Sequence, residues 1–142
     1  MDHRTPPKPP FYDTAVLGQC RYCGLPILDK KGNPKKRANW HPDCVNQYKL
    51  IYWPNVTRRA VWARDKGKCA GCGTQCTRKG PQGWHMDHIT PLIEAKGDVR
   101  YWQLPNLQTL CHTCHHAKTG AEATARAEAR RKQKLDEASK SP

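Results

Sequence analysis

The sequence predicts a small α+β fold in which bound metal ions stand in for a large apolar core. Three observations carry that prediction. Leu, Ile, Val and Phe number only 19 of 142 residues, about 13%, below the roughly 20% at which a highly charged chain is expected to stay disordered. A net charge of +13 and a mean hydropathy of −0.92 push the same way. Against both stand eight cysteines and seven histidines, the residues through which small domains gain stability from metals or disulfides.

Metal is the better of the two. The start, Met1-Asp2-His3-Arg4-Thr5-Pro6-Pro7, has no apolar signal core, and no later segment approaches the ~18 apolar residues of a membrane span. The expected setting is therefore a reducing cytoplasm, where disulfides rarely persist, and no membrane partner is expected. Every cysteine except Cys76 also falls in a C-x-x-C or H-x-x-C pair, the spacing of zinc sites.

Taken in order, residues 1–16 read as a flexible Pro-rich tail, since Thr5-Pro6-Pro7-Lys8-Pro9-Pro10 excludes helix and inner strand. Residues 17–54 hold a first metal-type module. Asn55 or Thr57 caps a short helix through Lys66, with Val56, Ala60 and Val61 spaced for one buried face and Gly67 as its stop. Gly71, Gly73, Gly80, Pro81 and Gly83 punctuate the stretch from Cys69 to Ile89, which predicts a hairpin with residues 84–89 as its second strand. A loop from Pro91 to Pro105 leads to an extended piece at Leu107–Leu110. A helix then starts near Cys111 or His112. Residues 120–142 continue it as a basic, Ala-rich helix or tail without a large apolar residue from Ala121 to Lys134. Glu122/Arg126 and Glu128/Lys132 are spaced to support it.

Two clusters follow one plan. The first is Cys20-x2-Cys23-Gly24 with His41-x2-Cys44; the second is Cys69-x2-Cys72-Gly73 with Cys111-x2-Cys114. In each, a knuckle glycine permits a tight turn, and the second pair sits at a helix start whose dipole favours thiolates. Four N/S ligands close a tetrahedral shell, so both predict structural Zn²⁺. The layout resembles the treble-clef zinc finger, here in tandem. Cys76 is either a spare buried thiol or a substitute ligand in the second cluster.

The charge points to a polyanion. Residues 29–49, 58–68 and 118–140 carry +4, +4 and +3, and nucleic acid is the first candidate for separated basic blocks. Arg58, Arg59, Arg64, Lys66 and Lys68 are expected to contact backbone phosphates, which supplies affinity without reading bases. Lys118 is either a further phosphate contact or a solvated lysine. Trp84 and Trp102 are expected to pack in the small core.

The insertion within the second cluster holds residues that a structural zinc site does not need: His85, Asp87, His88, Asn106 and, after Cys114, His115. A carboxylate, a histidine base, an amide and a further histidine suffice for metal-assisted phosphodiester cleavage. Asp87-His88-Ile89-x-Pro91-Leu92, Asn106-Leu107-Gln108-Thr109-Leu110-Cys111-x-x-Cys114-His115 and Lys118-Thr119, preceded by Cys69-x2-Cys72, resemble an HNH endonuclease of the zinc-containing ββα-metal branch. The resemblance covers about residues 57–119, within a nuclease domain expected over 55–119. It implies that His88 activates water, Asn106 orients His88, and Asp87 and His115 hold a catalytic divalent metal, with 5′-phosphate and 3′-hydroxyl ends as products. Mg²⁺ or Mn²⁺ suits such a site, and Ni²⁺ or Zn²⁺ can occupy it.

The expected partner is thus DNA, with no organic cofactor. A bacterial or phage-infected cell is the setting the resemblance suggests, and oligomeric state stays open. Two other readings remain: a non-catalytic nucleic-acid-binding zinc protein and a protein-interaction adaptor. Within the site, adjacent strand residues face opposite ways, so either the strand bends after Asp87 or His85 replaces one partner. His112 and His116, one helical turn apart, offer a further metal pair, with His116 an alternative extra ligand or phosphate contact.

Overall fold

The computed structural model describes residues 4–79 and 83–140. Helices α1 (Pro42–Tyr52) and α2 (Pro54–Asp65) come first, then strand β1 (Trp84–His88), three 3₁₀ turns between Leu92 and Asn106, strand β2 (Leu107–Cys111) and helix α3 (His112–Ser139). β1 and β2 pair as a two-stranded sheet. The small α+β class and the ββα order of the second half are as the sequence predicts. No helix among the described residues is long and apolar enough to cross a membrane.

One strand pairing differs from expectation. β1 pairs with β2, and among the described residues the knuckle after Cys69 makes only isolated bridges, Lys68 with Gln75 and Thr77 with Gly83. The reason is burial: Leu107, Thr109 and Leu110 of β2 are nearly inaccessible, so β2 offers β1 an apolar edge that the glycine-rich knuckle lacks. Gly80 and Pro81 of the expected turn lie outside the described residues.

The chain divides into two compact units, Met1–Arg64 with His88–Gln108, and Asp65–Asp87 with Thr109–Pro142. In the first, Cys20, Ile27, Val61, Ala95, Trp102 and Leu107 are the buried apolar residues. Helix α2 begins at Pro54, a favoured first position because proline has no N–H to leave unpaired. Its Thr57 is buried, with the hydroxyl donating to the carbonyls of Leu50 (2.8 Å) and Trp53 (3.1 Å). The helix ends in two left-handed residues, Lys66 (φ 54°) and Gly67 (φ 68°), so the expected glycine stop is shared with a lysine.

Residues 4–16, within the stretch 1–16 expected as a flexible Pro-rich tail, dock against this unit. Tyr12 stacks on Tyr48 (5.8 Å), Tyr48 on Tyr52 (4.5 Å), and the Arg21 guanidinium lies 4.0 Å from the Tyr12 ring centre. The Tyr52 hydroxyl donates to the Pro7 carbonyl. Each aromatic pair contributes about 0.5–1.5 kcal/mol beyond its buried area, which compensates in part for the scarcity of aliphatic residues.

In the second unit, Cys69, Cys76, Thr109 and Leu110 are buried. Asp65 accepts from the Thr109 amide (3.0 Å), and the Ala70 amide donates to the Thr109 carbonyl (2.8 Å). Helix α3 is 28 residues long with none buried; its stability rests on alanine-rich propensity and its N-cap, where Cys111 Sγ accepts from the Cys114 amide (3.4 Å).

Candidate functional site

Two tetrads of metal-ligating side chains form among the described residues, one in each unit. Cys20, Cys23, His41 and Cys44 converge, as do Cys69, Cys72, Cys111 and Cys114, with ligand atoms in each set within 4.8 Å of one another. The knuckles are the same device repeated 49 positions apart. Gly24 and Gly73 adopt φ of +75° and +76°, and their amides donate to the carbonyls of Cys20 (2.8 Å) and Cys69 (2.9 Å). Gly18 and Gly67 are also left-handed, and their carbonyls accept from Ile27 and Cys76 (both 2.8 Å). The repeat explains Cys76. It occupies the position of the buried Ile27, outside the tetrad, and burial first, then the neighbouring thiols, raises its pKa. Cys76 is a buried core thiol.

The donor geometry fits zinc. Tetrahedral ligands about 2.3 Å from one ion lie about 3.8 Å apart. The Cys72 and Cys111 sulfurs are 3.8 Å apart, Cys44 Sγ is 3.8 Å from His41 Nδ1, and Cys23 Sγ is 3.4 Å from it. His41 Nε2 faces the Pro26 carbonyl at 3.2 Å, the outer bond that keeps Nδ1 free to ligate. The electrostatics of the thiols point the same way. Burial alone would raise Cys20 and Cys69, yet amide hydrogen bonds outweigh it and bring both down to about 6. Cys44 is pushed up to about 12 by burial and by Cys20 and Cys23, and Cys114 to about 12 by hydrogen bonds with Cys111, Cys69 and Cys72. Crowded thiols that resist ionising together are what a dication relieves.

On β1, His85 and Asp87 share a face and both meet His115 of α3. Asp87 Oδ1 lies 3.9 Å from His115 Nε2, while the His85 ring stacks on His115 at 4.2 Å and 6°. His85 Nε2 also reaches His112 Nδ1 at 3.3 Å. Asp87 is well buried, its side chain 11% exposed. Its other oxygen, Oδ2, is 3.2 Å from Lys118 Nζ, which also binds Glu122. Burial would lower the Lys118 pKa, but hydrogen bonds to Glu122 and Asp87 outweigh it and raise the value. Glu122 is absent from the motif; the only signal for it is its i,i+4 spacing from Lys118, opposite in direction to the expected pairing with Arg126. His116 lies one turn beyond His112, ring centres 6.3 Å apart. Among the described residues no third group of three or more such ligands lies within ligand distance.

β1 runs unbroken through His88, and the bend falls at Ile89 and Thr90 rather than directly after Asp87. Asn106 anchors that bend within the first unit. Its Oδ1 accepts from the Thr90 amide (2.9 Å), and Nδ2 donates to the carbonyls of Thr90 (3.1 Å) and Tyr101 (2.8 Å). The Ile89 amide donates to the Asn106 carbonyl at 2.7 Å.

The basic residues separate by role. Arg64 is committed to the fold, donating to the carbonyls of Leu104 (2.7 Å) and Leu107 (2.5 Å), and Lys118 is held by two carboxylates. Arg58 and Arg59 lie on α2, Lys66 and Lys68 just after it.

Comparison with known proteins agrees with this geometry. Residues 69–120 match the family described as HNH endonuclease. Over 48 residues the chain is 44% identical to the DNA annealing helicase and endonuclease ZRANB3 of Mus musculus, and 42% identical to those of Bos taurus and Homo sapiens. Each match covers 34% of this chain but only 4% of the relative. No solved structure matches. Residues 69–120, from the second knuckle to the first turns of α3, are the part of the chain that matches the HNH endonuclease family.

Proposed function

We propose that the protein is a divalent-metal-dependent DNA endonuclease. The observation that carries this reading is the Asp87–His115 pair, a carboxylate oxygen and an imidazole nitrogen facing each other in an HNH domain. One oxygen and one nitrogen donor suit Mg²⁺ or Mn²⁺ with water completing the shell. Asp87 and His115 would hold such an ion, which would supply positive charge against the scissile phosphate and the departing 3′ oxygen. His88 ends β1 directly before the bend at Ile89 and Thr90 rather than in its straight part, and we assign it the proton of the attacking water, since imidazole is the side chain poised to take it near neutral pH. Asn106 keeps the chain after His88 in place. Cleavage leaves 5′-phosphate and 3′-hydroxyl ends. Zn²⁺ in the two tetrads holds the fold and takes no part in the chemistry. Arg58, Arg59, Lys66 and Lys68 bind backbone phosphates.

Supercoiled plasmid tests the reading. Zinc-loaded protein should relax or linearise it when Mg²⁺ or Mn²⁺ is added and leave it intact when the ion is omitted. Ligatable ends identify 5′-phosphate and 3′-hydroxyl products. No cleavage with either ion, or equal cleavage without them, contradicts the proposal.

A further inference from the structure

We propose a second nucleic-acid-binding surface, formed by the basic hairpin between Ile27 and His41 in the first zinc module. The inference rests on the nuclease reading for the class of partner, and on the hairpin's own geometry for the surface.

Between Ile27 and Pro42 the chain carries Lys30, Lys31, Lys35, Lys36 and Arg37 against one acid, Asp29. All five cations are exposed. Among the described residues, none of the five lies within salt-bridge distance of a carboxylate. Asp29 offsets only one of the five charges, leaving the hairpin at +4, and its carboxylate is held by the turn. Its Oδ1 accepts from the amides of Lys31 (2.8 Å) and Asn33 (2.9 Å). Those amides hold its pKa below the usual carboxylate range, so it stays ionised as a turn-former.

The hairpin is fixed at both ends. Leu28 bridges to Pro34, the Asp29 amide donates to the Asn33 carbonyl and the Lys35 amide to the Ile27 carbonyl (both 2.8 Å). Gly32 turns the tip at φ +83°. The base is tied to the metal tetrad through buried Ile27 and the contact of His41 with the Pro26 carbonyl. Cations on a rigid, metal-anchored turn lose little backbone entropy on binding, which favours contact with a regular row of phosphates. The tip, residues 30–33, bears no apolar side chain to anchor in a lipid surface. The contacts are to backbone, so the surface adds affinity without sequence preference.

The test uses the full zinc-loaded chain carrying His88→Ala, so that the DNA is not consumed. Binding to a fluorescent duplex is measured across a salt series, with and without K30Q/K31Q/K35Q/K36Q/R37Q, zinc content being checked at two per chain. Each lost phosphate contact lowers the log–log salt slope by about 0.9. The five-fold variant should lose about 3–4.5 of slope and bind at least tenfold more weakly at moderate salt. The tip variant K30Q/K31Q, which removes no backbone hydrogen bond, should lose up to about 2. Replacing the four lysines by arginine should preserve binding. Unchanged slope and affinity in the glutamine variants, or a hairpin-dependent preference for phosphatidylserine vesicles over duplex, overturns the proposal. If the protein with His88 intact never cleaves DNA while the hairpin still sets affinity, the nuclease reading fails and this surface stands. If it cleaves DNA with an affinity that does not depend on the hairpin, the surface fails and the nuclease reading stands.

Discussion

Asn106 and Thr90 exchange hydrogen bonds in both directions across sixteen residues: the Thr90 amide donates to Asn106 Oδ1 and Asn106 Nδ2 donates to the Thr90 carbonyl. With its second donor on Tyr101, the amide closes the bend after β1 against the 3₁₀ turns. Only an amide offers an acceptor and two donors on one short side chain. Asn106→Ala should cost about 2 kcal/mol, three net bonds being lost from a half-buried site. Asn106→Asp keeps the acceptor but no donor and should not recover the loss. Thermal melting of both variants checks this, and a melting point unchanged in Asn106→Asp would contradict it.

The two tetrads could each bind structural zinc, which would couple the fold to the metal. Metal analysis should find two zinc ions per chain, and a strong chelator should abolish the circular dichroism of the native state. Structural zinc is worth about 10–16 kcal/mol in small fingers, more than the apolar core of so polar a chain can replace. Gly71 gives a local probe: a Cβ there would stand 3.0 Å from Cys114 Sγ and 3.1 Å from its Cβ. Gly71→Ala should weaken zinc retention at the second tetrad and leave the first intact. Zinc competition with a chromogenic chelator reads both.

Thr109 is fully buried, and among the described residues its hydroxyl has no hydrogen-bond partner. An unpaired buried hydroxyl costs free energy that a methyl of similar shape does not. Thr109→Val should therefore raise stability, by about 1 kcal/mol, measured as a higher melting temperature. A lower one would show that the hydroxyl is satisfied.

Asp29 should make stability pH-dependent in a defined direction. Its folded pKa lies below the usual carboxylate value because the amides of Asn33 and Lys31 favour the anion. The stabilisation is present above the unfolded value, about 3.9, and lost as pH falls through the lower folded value. Asp29→Ala should be less stable than the parent at neutral pH, and the gap should close in acid below that window. A gap that persists unchanged in acid would contradict the assignment.

Much of the fold and the site is legible from residue type and spacing. The ligand pairs can be read because metal coordination demands particular atoms at short sequence separations, and the strand-to-helix segment because Asp87, His88, Asn106 and His115 keep the order of a known motif. Long-range partners are not legible. Nothing near Trp84 says that β1 pairs with Leu107–Cys111, since that pairing depends on which edge buries Thr109 and Leu110. Docking of residues 4–16 depends on a tyrosine stack assembled from distant positions. Arg64 and Lys118 read as free cations because a sequence does not show the carbonyls and carboxylates that hold them.

His88 is the group proposed to activate water, and single-turnover cleavage of saturating DNA tests that role most directly. With Mn²⁺ or Mg²⁺ present, His88→Ala should slow cleavage by about 10²–10⁴-fold, the contribution of a general base, while DNA affinity and zinc content stay unchanged. Cleavage at the parent rate in His88→Ala would contradict that role and the mechanism built on it.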